Sequence, residues 1–499
     1  MTWENSLPLL MVLTSLVPGI IIFFLKESAV GVRTTLNMVG AVAKLVLIVV
    51  MIGGLLEETM YETRLPFLPG IDFVLRADTL SILFCILSAT LWLVTTIYAI
   101  GYLEHSPNRS RFFGFFSLCV SSTMGIALAG NLMTFLIFYE LLTICTYPLV
   151  VHKGDEKALK GGRTYLIYTL IGGGVLLLAV IWMYAVAGPI EFRDGGAIDD
   201  VVDQARGPLT LIYFMFIASF GVKSAIVPLH GWLPRAMVAP APVSALLHAV
   251  AVVKAGAFGI VRVTYDLFGI NVANDLGVLT PLMLATSLTI IVGSVLAIFQ
   301  DDIKKRLAYS TVSQVSYIAL GVALFGPLGS IGGIMHLVHQ GVMKITLFFG
   351  AGSFDETLGV TKISQMDGIG RRMPLTMAAF TVGALGMIGV PPTAGFITKW
   401  FLGTGAIEAN SQWVIGVLIL SSLLNAGYFL PILYRAWFKP QKGDWPAEHD
   451  FGGRFETFWM LLLPPVVTGI FSILLGLFAN LPVGLLYWVE LIVLREYGL

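Results

Sequence analysis

Two stretches of this 499-residue chain place a lysine beside helix-breaking prolines within apolar sequence: GVKSAIVPLHGWLP at 221–234 and GVPPTAGFITKW at 389–400. The lysines are Lys223 and Lys399, and the prolines are Pro228, Pro234, Pro391 and Pro392. A lysine in hydrocarbon costs about 2.5–3.5 kcal/mol on insertion scales. Proline removes a helix hydrogen bond, and broken backbone at membrane depth survives only where protein buries it or a wet cavity meets it. Half-helix ends add fixed dipoles beside each charge. Two such costs, each at a break, point to movement of charge; a plain proline kink is the bland alternative.

The remaining buried cations are Lys44, Lys254 and Lys344, and Glu140 in FLIFYELLTICTYP is the clearest buried acid. His248, His336 and His339 lie in similar surroundings. A desolvated lysine with a carboxylate nearby can take up or release a proton when that partner moves, and histidine titrates near neutrality unaided. Such groups with water between them make a proton path. Structural readings stand beside these. Glu140 could be a static partner of Lys223. Lys44 has no break nearby and reads as a side chain snorkelling to an interface. Lys344 could meet a backbone carbonyl or an interface. His336 and His339 share a helix face, but the spacing to Lys344 does not require all three to face one channel. His230 reads as lying at the membrane boundary.

Composition says what must position these groups. The chain is 57% hydrophobic and 12% charged, with no net charge. A soluble domain carries about 25% charged residues, so most of this surface faces lipid. Zero net charge argues against a nucleic-acid partner. Cys85, Cys119 and Cys145 lie singly in apolar segments, so no disulfide, metal or iron–sulfur site is expected, and no cofactor. The opening MTWENSLPLL lacks a basic region and reads as the lead-in to a first span.

Apolar runs of about 20 residues predict an all-α polytopic membrane protein with fourteen transmembrane helices. They cover roughly 7–25, 31–53, 78–102, 112–129, 131–151, 164–187, 209–231, 240–265, 276–299, 307–325, 327–354, 374–402, 412–438 and 457–481. Basic residues crowd alternate loops, at Lys26–Arg33, Arg109–Arg111, Lys153–Arg163, Arg235, Lys304–Arg306, Lys362–Arg372 and Arg435–Arg454. Only Arg64, Arg76, Arg193, Arg206, Arg262 and Arg495 fall on the other side. The positive-inside rule then puts both termini outside. The acidic segments 54–77 and 188–208 are read as outer loops, 439–456 as a cytoplasmic linker, and 482–499 as a tail able to lie along the membrane surface. The breaks in spans seven and twelve are five spans apart, an odd number, so five-helix units would be inverted relative to each other. This predicts an N-terminal three-helix segment (1–111), a first repeat of spans four to eight (112–266), an inverted second repeat of spans nine to thirteen (267–438), and a linker, final helix and tail (439–499).

Five stretches resemble the antiporter-like subunits shared by Mrp-type Na+/H+ antiporters, respiratory complex I and membrane-bound hydrogenases. They are FYELLTICTYPLV (138–150), GVKSAIVPLHGWLPRAMVAPAPVSALLHAVAVVKAGAFGIVR (221–262), DDIKKRLAYSTVSQVSYI (301–318), HLVHQGVMKITLFFGAG (336–352) and GVPPTAGFITKW. The second is long and specific, and the resemblance spans roughly 70–440. It implies that Glu140 partners Lys223, that His248 and Lys254 bridge, that His336, His339 and Lys344 form a relay, and that Lys399 ends a horizontal mid-membrane axis. Lysine at 399, the lysine at 254 and the compact length resemble the Mrp D subunit most. The implied function is a proton-translocating subunit of a multi-subunit Na+ or K+/proton antiporter in a bacterial cytoplasmic membrane, with further membrane subunits as partners. A pumping subunit of a complex I-like dehydrogenase or membrane-bound hydrogenase is the alternative, in which case the chain would belong to a translocase enzyme.

Overall fold

The computed structural model describes residues 3–57, 59–104, 106–449, 455–482 and 484–499. Part of the expected linker, 450–454 with Arg454, lies outside them.

The chain is a helical membrane protein. It opens with α1 (Trp3–Phe23) and α2 (Val30–Leu56), followed by strands β1 (Tyr61–Leu68) and β2 (Ile71–Ala77). Then come α3 (Thr79–Tyr102), α4 (Arg109–Leu128), α5 (Leu132–Val150), α6 (Glu156–Ala187) and α7 (Val202–Lys223). A broken region follows: α8 (Trp232–Arg235), α9 (Ala241–Ala249), α10 (Val252–Arg262) and a π turn at Val263–Leu267. After α11 (Ile270–Asp275) the chain forms α12 (Leu279–Ile298), α13 (Ile303–Ala323), α14 (Pro327–Leu358) and α15 (Ile369–Arg372). It ends with α16 (Pro374–Ile388), α17 (Ala394–Glu408), α18 (Trp413–Phe438), α19 (Trp459–Leu477) and α20 (Leu485–Tyr497). Among the described residues, eleven helices are long and apolar enough to cross a membrane. α13 and α14 have the length, but polar side chains keep them out of that group.

Polar residues set the helix starts. Asp78, Asn131, Asp155 and Asp302 each accept a hydrogen bond from the backbone N–H three residues on, at 2.7–2.9 Å. Gly389, at φ +93°, closes α16 in the left-handed conformation that suits glycine.

Three expectations change and one holds. The acidic segment 54–77 is not an open loop: 61–77 forms an antiparallel hairpin pairing Tyr61 with Ala77, so the fold is not purely helical. Val74 and the Gly130–Asn131 junction fix it, through Gly130 N–H to Val74 O and Val74 N–H to Thr134 Oγ1. Arg64 and Arg76 clamp it to Glu62 and Glu191. Second, the tail is held against the body. The Trp488 indole donates to Thr79 O at 2.9 Å, and Tyr497 Oη accepts from Gly326 N–H. The breaks expected in spans seven and twelve are present: 209–231 stops being an α-helix at Lys223, and 374–402 splits into α16 and α17. Third, the expected span 240–265 is itself interrupted at Val250–Ala251, between His248 and Lys254. No proline or glycine stands there to signal it. Every residue from 241 to 270 is buried, as interrupted backbone at membrane depth requires.

α14 is the central column, packed by α13, α17, α19, α9 and α16. Loop contacts sort into two faces. The hairpin meets 191–192, Gly195 meets Glu496, and α1 meets the hairpin through Asn5. On the opposite face Glu27 meets Arg109, Arg111 meets 152, Lys304 meets 239 and Asp301 meets Ser364. The start of α1 and the end of α20 share the hairpin face.

Candidate functional site

The polar residues of the interior fall on facing helix stripes. On α14, His336, His339, Gln340 and Lys344 recur at three- and four-residue steps and line one face. Opposite them, α13 offers Ser310, Gln314 and Tyr317 at the same periodicity. All seven are buried. The breaks bring α9, α10 and α17 against these stripes.

At one end, Lys223 is the last residue of α7 and is 1% exposed. Its Nζ donates to Tyr139 O on α5 and lies 3.2 Å from the centroid of the Tyr139 ring. Glu140, the next residue, does not form an ion pair with Lys223 in this conformation. Its carboxylate lies against α6, where a Cβ on Gly173 would come within 2.2 Å of Oε1. Oε1 is buried and has no hydrogen-bond partner. The two groups remain near enough to act on each other's charge.

The middle is rich in polar atoms without partners. Among the described residues these include Lys254 Nζ, both ring nitrogens of His248 and of His336, His339 Nε2, and the side-chain amides of Gln314 and Gln340. His248 stacks on Phe348, with ring centroids 4.5 Å apart. Lys254 lies close enough to Lys344, His336 and His339 for its charge to reach each. Lys344 turns toward α13 and α18: its Nζ donates to Ser310 Oγ at 2.7 Å, and Tyr428 Oη donates to the same oxygen at 2.8 Å. It therefore meets a hydroxyl, neither a backbone carbonyl nor an interface.

At the far end, His339 Nδ1 is 2.9 Å from Thr398 Oγ1, beside Lys399. The Tyr317 ring lies between His336 (centroids 5.1 Å) and Lys399 Nζ (5.8 Å). Lys399 Nζ donates to Met387 O at 3.2 Å, Ile388 O at 2.6 Å and Ser422 Oγ at 2.8 Å. Those carbonyls end α16, where the helix dipole is negative. The break at 389–393 thus presents carbonyls to the lysine that follows it.

The structure thus places Glu140 and Lys223 where α7 packs on α10, and brings Lys254 within charge reach of His336 and His339, and His336 within reach of Lys399, with Lys344 and His248 on a side arm of this polar interior. Tyr139, Gly173, Ser310, Gln314, Tyr317, Gln340, Thr398 and Ser422 belong to it too. Tyr139, Ser310, Gln314, Tyr317, Gln340 and Thr398 stood within the stretches that drew attention; Gly173 and Ser422 gave no sequence signal. Lys44 corrects an expectation. It does not reach an interface: it is fully buried, its Nζ donates to Ser15 Oγ and lies 4.3 Å from the Trp92 ring centroid. The α1–α3 packing encloses it more tightly than a snorkelling lysine allows. Arg262, read as an outer-loop residue, is also buried. Its Nη2 meets Asp78 at 2.7 Å and its Nη1 meets Asp266 at 3.1 Å. Carboxylate oxygens of Asp266, Asp194 and Glu496 lie within 4.8 Å of one another beside that pair.

A bundle of membrane-crossing helices with titratable side chains lined up at its broken elements defines a class, the multi-pass membrane antiporter-like subunits. The chain belongs to the family described as NADH:quinone oxidoreductase/Mrp antiporter, whose transmembrane model matches residues 129–425. A model for the N-terminus of complex I chain 5 matches 69–113. The N subunit of the NADH-quinone oxidoreductase of Desulforudis audaxviator is 34% identical over 425 residues, 82% of each chain. The D subunit of the Na+/H+ antiporter of Bacillus subtilis is 26% identical over 481 residues, covering 95% of this chain and 94% of that one. In the solved Mrp complex from a Dietzia species, one chain has the same fold, with a TM-score of 0.87 at 23% identity, covering 100% of this chain and 98% of that one.

Proposed function

We propose that this chain carries protons within a multi-subunit Mrp-type antiporter, where proton flow is exchanged for Na+ or K+. The observation that carries the reading is the row of orphaned polar atoms between Lys223 and Lys399. Each buried polar group left unpaired costs about 1–3 kcal/mol, so a run of them is sustained by water, and water between titratable groups carries protons. Protons travel between the Glu140–Lys223 end and Lys399 by way of Lys254, His336 and His339, with His248 and Lys344 on the side arm. Glu140 is the gate. Swung toward Lys223 it holds a proton there; laid against Gly173 it lets the proton move on.

The near full-length likeness to the D subunit of a Na+/H+ antiporter and the shared fold with an Mrp complex chain support the Mrp assignment. Companion membrane subunits are the partners this implies, and a bacterial cytoplasmic membrane is the location. Fourteen spans follow if α13, α14 and the α16–α17 pair also cross the membrane. The breaks in α7–α8 and α16–α17 then sit at matching places in two inverted five-helix units, 112–266 and 267–438. The basic loops on the face opposite the hairpin, taken with the positive-inside rule, support termini on the outer side. A complex I-like pumping subunit is the second reading, favoured by the 34% identity to the N subunit of an NADH-quinone oxidoreductase.

The test is Na+-dependent proton flux in vesicles holding the intact complex, with Lys223→Ala and Lys399→Ala. Loss of flux in both with assembly unchanged is expected; wild-type flux from either sinks the proposal. Purified companions would separate the two readings: small membrane proteins alone support the Mrp assignment, and a quinone or nickel–iron module overturns it.

A further inference from the structure

A row in the middle of a membrane needs a way in from water, and one lysine outside the row is placed to provide it. Lys304, the second residue of α13, is half-buried at the wall of a cavity of about 310 Å³ on the face opposite the hairpin. Lys153, Asp155, Asp302 and Asp355 share that wall. A second cavity, about 520 Å³, shares Lys153 and Asp355 and adds His152 and Glu356. At roughly 30 Å³ per molecule, either holds many waters.

Lys304 does not use these charges as a static partner. Among the described residues no carboxylate stands within ion-pair distance of its Nζ, although Asp355 and Asp302 act on it from nearby. Its Nζ instead reaches inward and donates to Ala239 O at 2.7 Å. The same carbonyl accepts from Ser244 Oγ at 3.4 Å. Ser244 is buried on α9, and His248 follows it by four residues, one turn along the same face. His248 is fully buried with neither ring nitrogen partnered, and the cations whose charge reaches it are Lys344 in the side arm and Lys304 at the cavity. The interruption at Val250–Ala251 ends α9 just beyond His248, so its ring stands where the cavity side meets the row.

We propose that Lys304 is a port residue, passing protons between the charged cavity and His248 through the Ser244 hydroxyl. With both donors turned from Ala239 O, the Ser244 hydroxyl hands its proton to a His248 ring nitrogen while its oxygen takes the proton released by the Lys304 ammonium group, leaving a neutral amine, a restored hydroxyl and a protonated imidazole. Water in the cavity then reprotonates Lys304, and charge balances at each step. In the orientation proposed above this is the cytoplasmic entrance. The port rests on the proton-carrying reading of the row.

The experiment uses the intact complex in vesicles, with Lys304→Arg, Ser244→Ala and Glu140→Gln compared by proton flux and by thermal midpoint. Arginine keeps the positive charge and the bond to Ala239 but does not release its proton. Lys304→Arg is expected to assemble with a normal midpoint and lose flux about tenfold; a residue that only braces α13 against Ala239 would tolerate it. Ser244→Ala, a change of one oxygen, is expected to lose flux severalfold. Wild-type flux in Ser244→Ala, or in Lys304→Arg, overturns the port. If Glu140→Gln is silenced while those two are not, the port fails and the row stands. If Glu140→Gln also runs at the wild-type rate, the row itself is wrong. Should Lys304→Arg fail to assemble, Ser244→Ala decides.

Discussion

Lys223 and Lys399 both stand where a broken helix presents its carbonyl end, yet they are held by different atoms. Lys399 is held by its own break: Met387 O and Ile388 O from α16, with Ser422 as a third acceptor. Lys223 is held by a neighbouring helix, through a carbonyl and a ring of Tyr139, with the Glu140 carboxylate one residue away and turned aside onto Gly173. Fixed carbonyl dipoles cannot switch; a carboxylate on a rotatable side chain can. On the proposed reading, this difference suits a gate at the Lys223 end and a constant terminal at the Lys399 end. It also explains why a carboxylate near each lysine is unnecessary.

The largest way to break that comparison is to deny Glu140 its resting place. Gly173→Ala puts a methyl within 2.2 Å of Oε1, and flux is expected to fall about tenfold, whereas Gly174→Ala, which meets nothing within 4 Å, stays near wild type. Equal flux from both, measured in vesicles, would mean the carboxylate position does not matter. Next is Ser422→Ala, which removes one of three acceptors from Lys399. A hydrogen bond to a charged group contributes about 1.5–3 kcal/mol, but two carbonyls remain, so a loss of only severalfold is expected in the same assay. A loss as deep as that of Gly173→Ala would make the Lys399 end a switch as well.

The smallest effects are on stability and compare the two turns directly. Gly389 closes α16 at φ +93°, and a Cβ there would crowd Lys399 Cδ at 2.8 Å. Gly389→Ala should cost about 1–2 kcal/mol and lower the thermal midpoint of the complex. At the other break Ala225 already sits at φ +59°, a conformation that L side chains pay to adopt. Ala225→Gly should therefore raise the midpoint slightly, by roughly 0.5 kcal/mol or less. Shifts of the same sign in both variants would contradict the view that the two breaks share a left-handed turn.

Much of this arrangement was legible in the sequence, because its signals are costly and local. A lysine beside prolines in apolar sequence announces both breaks, and runs of about 20 apolar residues mark the helices, although α6 starts eight residues before the expected span and α7 runs from 202 to 223 instead of 209 to 231. What escaped reading depends on tertiary contact. The break at Val250–Ala251 has no proline or glycine to announce it. The hairpin at 61–77 follows from contacts with Gly130 and Thr134, far along the chain. Lys44 looked like a snorkelling residue because a single helix cannot show that Ser15 and Trp92 close over it. Arg262 looked like a loop cation, although Asp78 and Asp266 bury it. Gly173 is one of three consecutive glycines in α6, and only packing shows which one receives Glu140.

The most direct test of the account is Glu140→Gln in the intact complex, because glutamine keeps the shape and the contact with Gly173 but removes the charge. Proton flux driven by a Na+ gradient in vesicles should fall at least tenfold, with subunit composition and thermal midpoint unchanged. Wild-type flux from this variant would contradict a gate at Glu140 and Lys223.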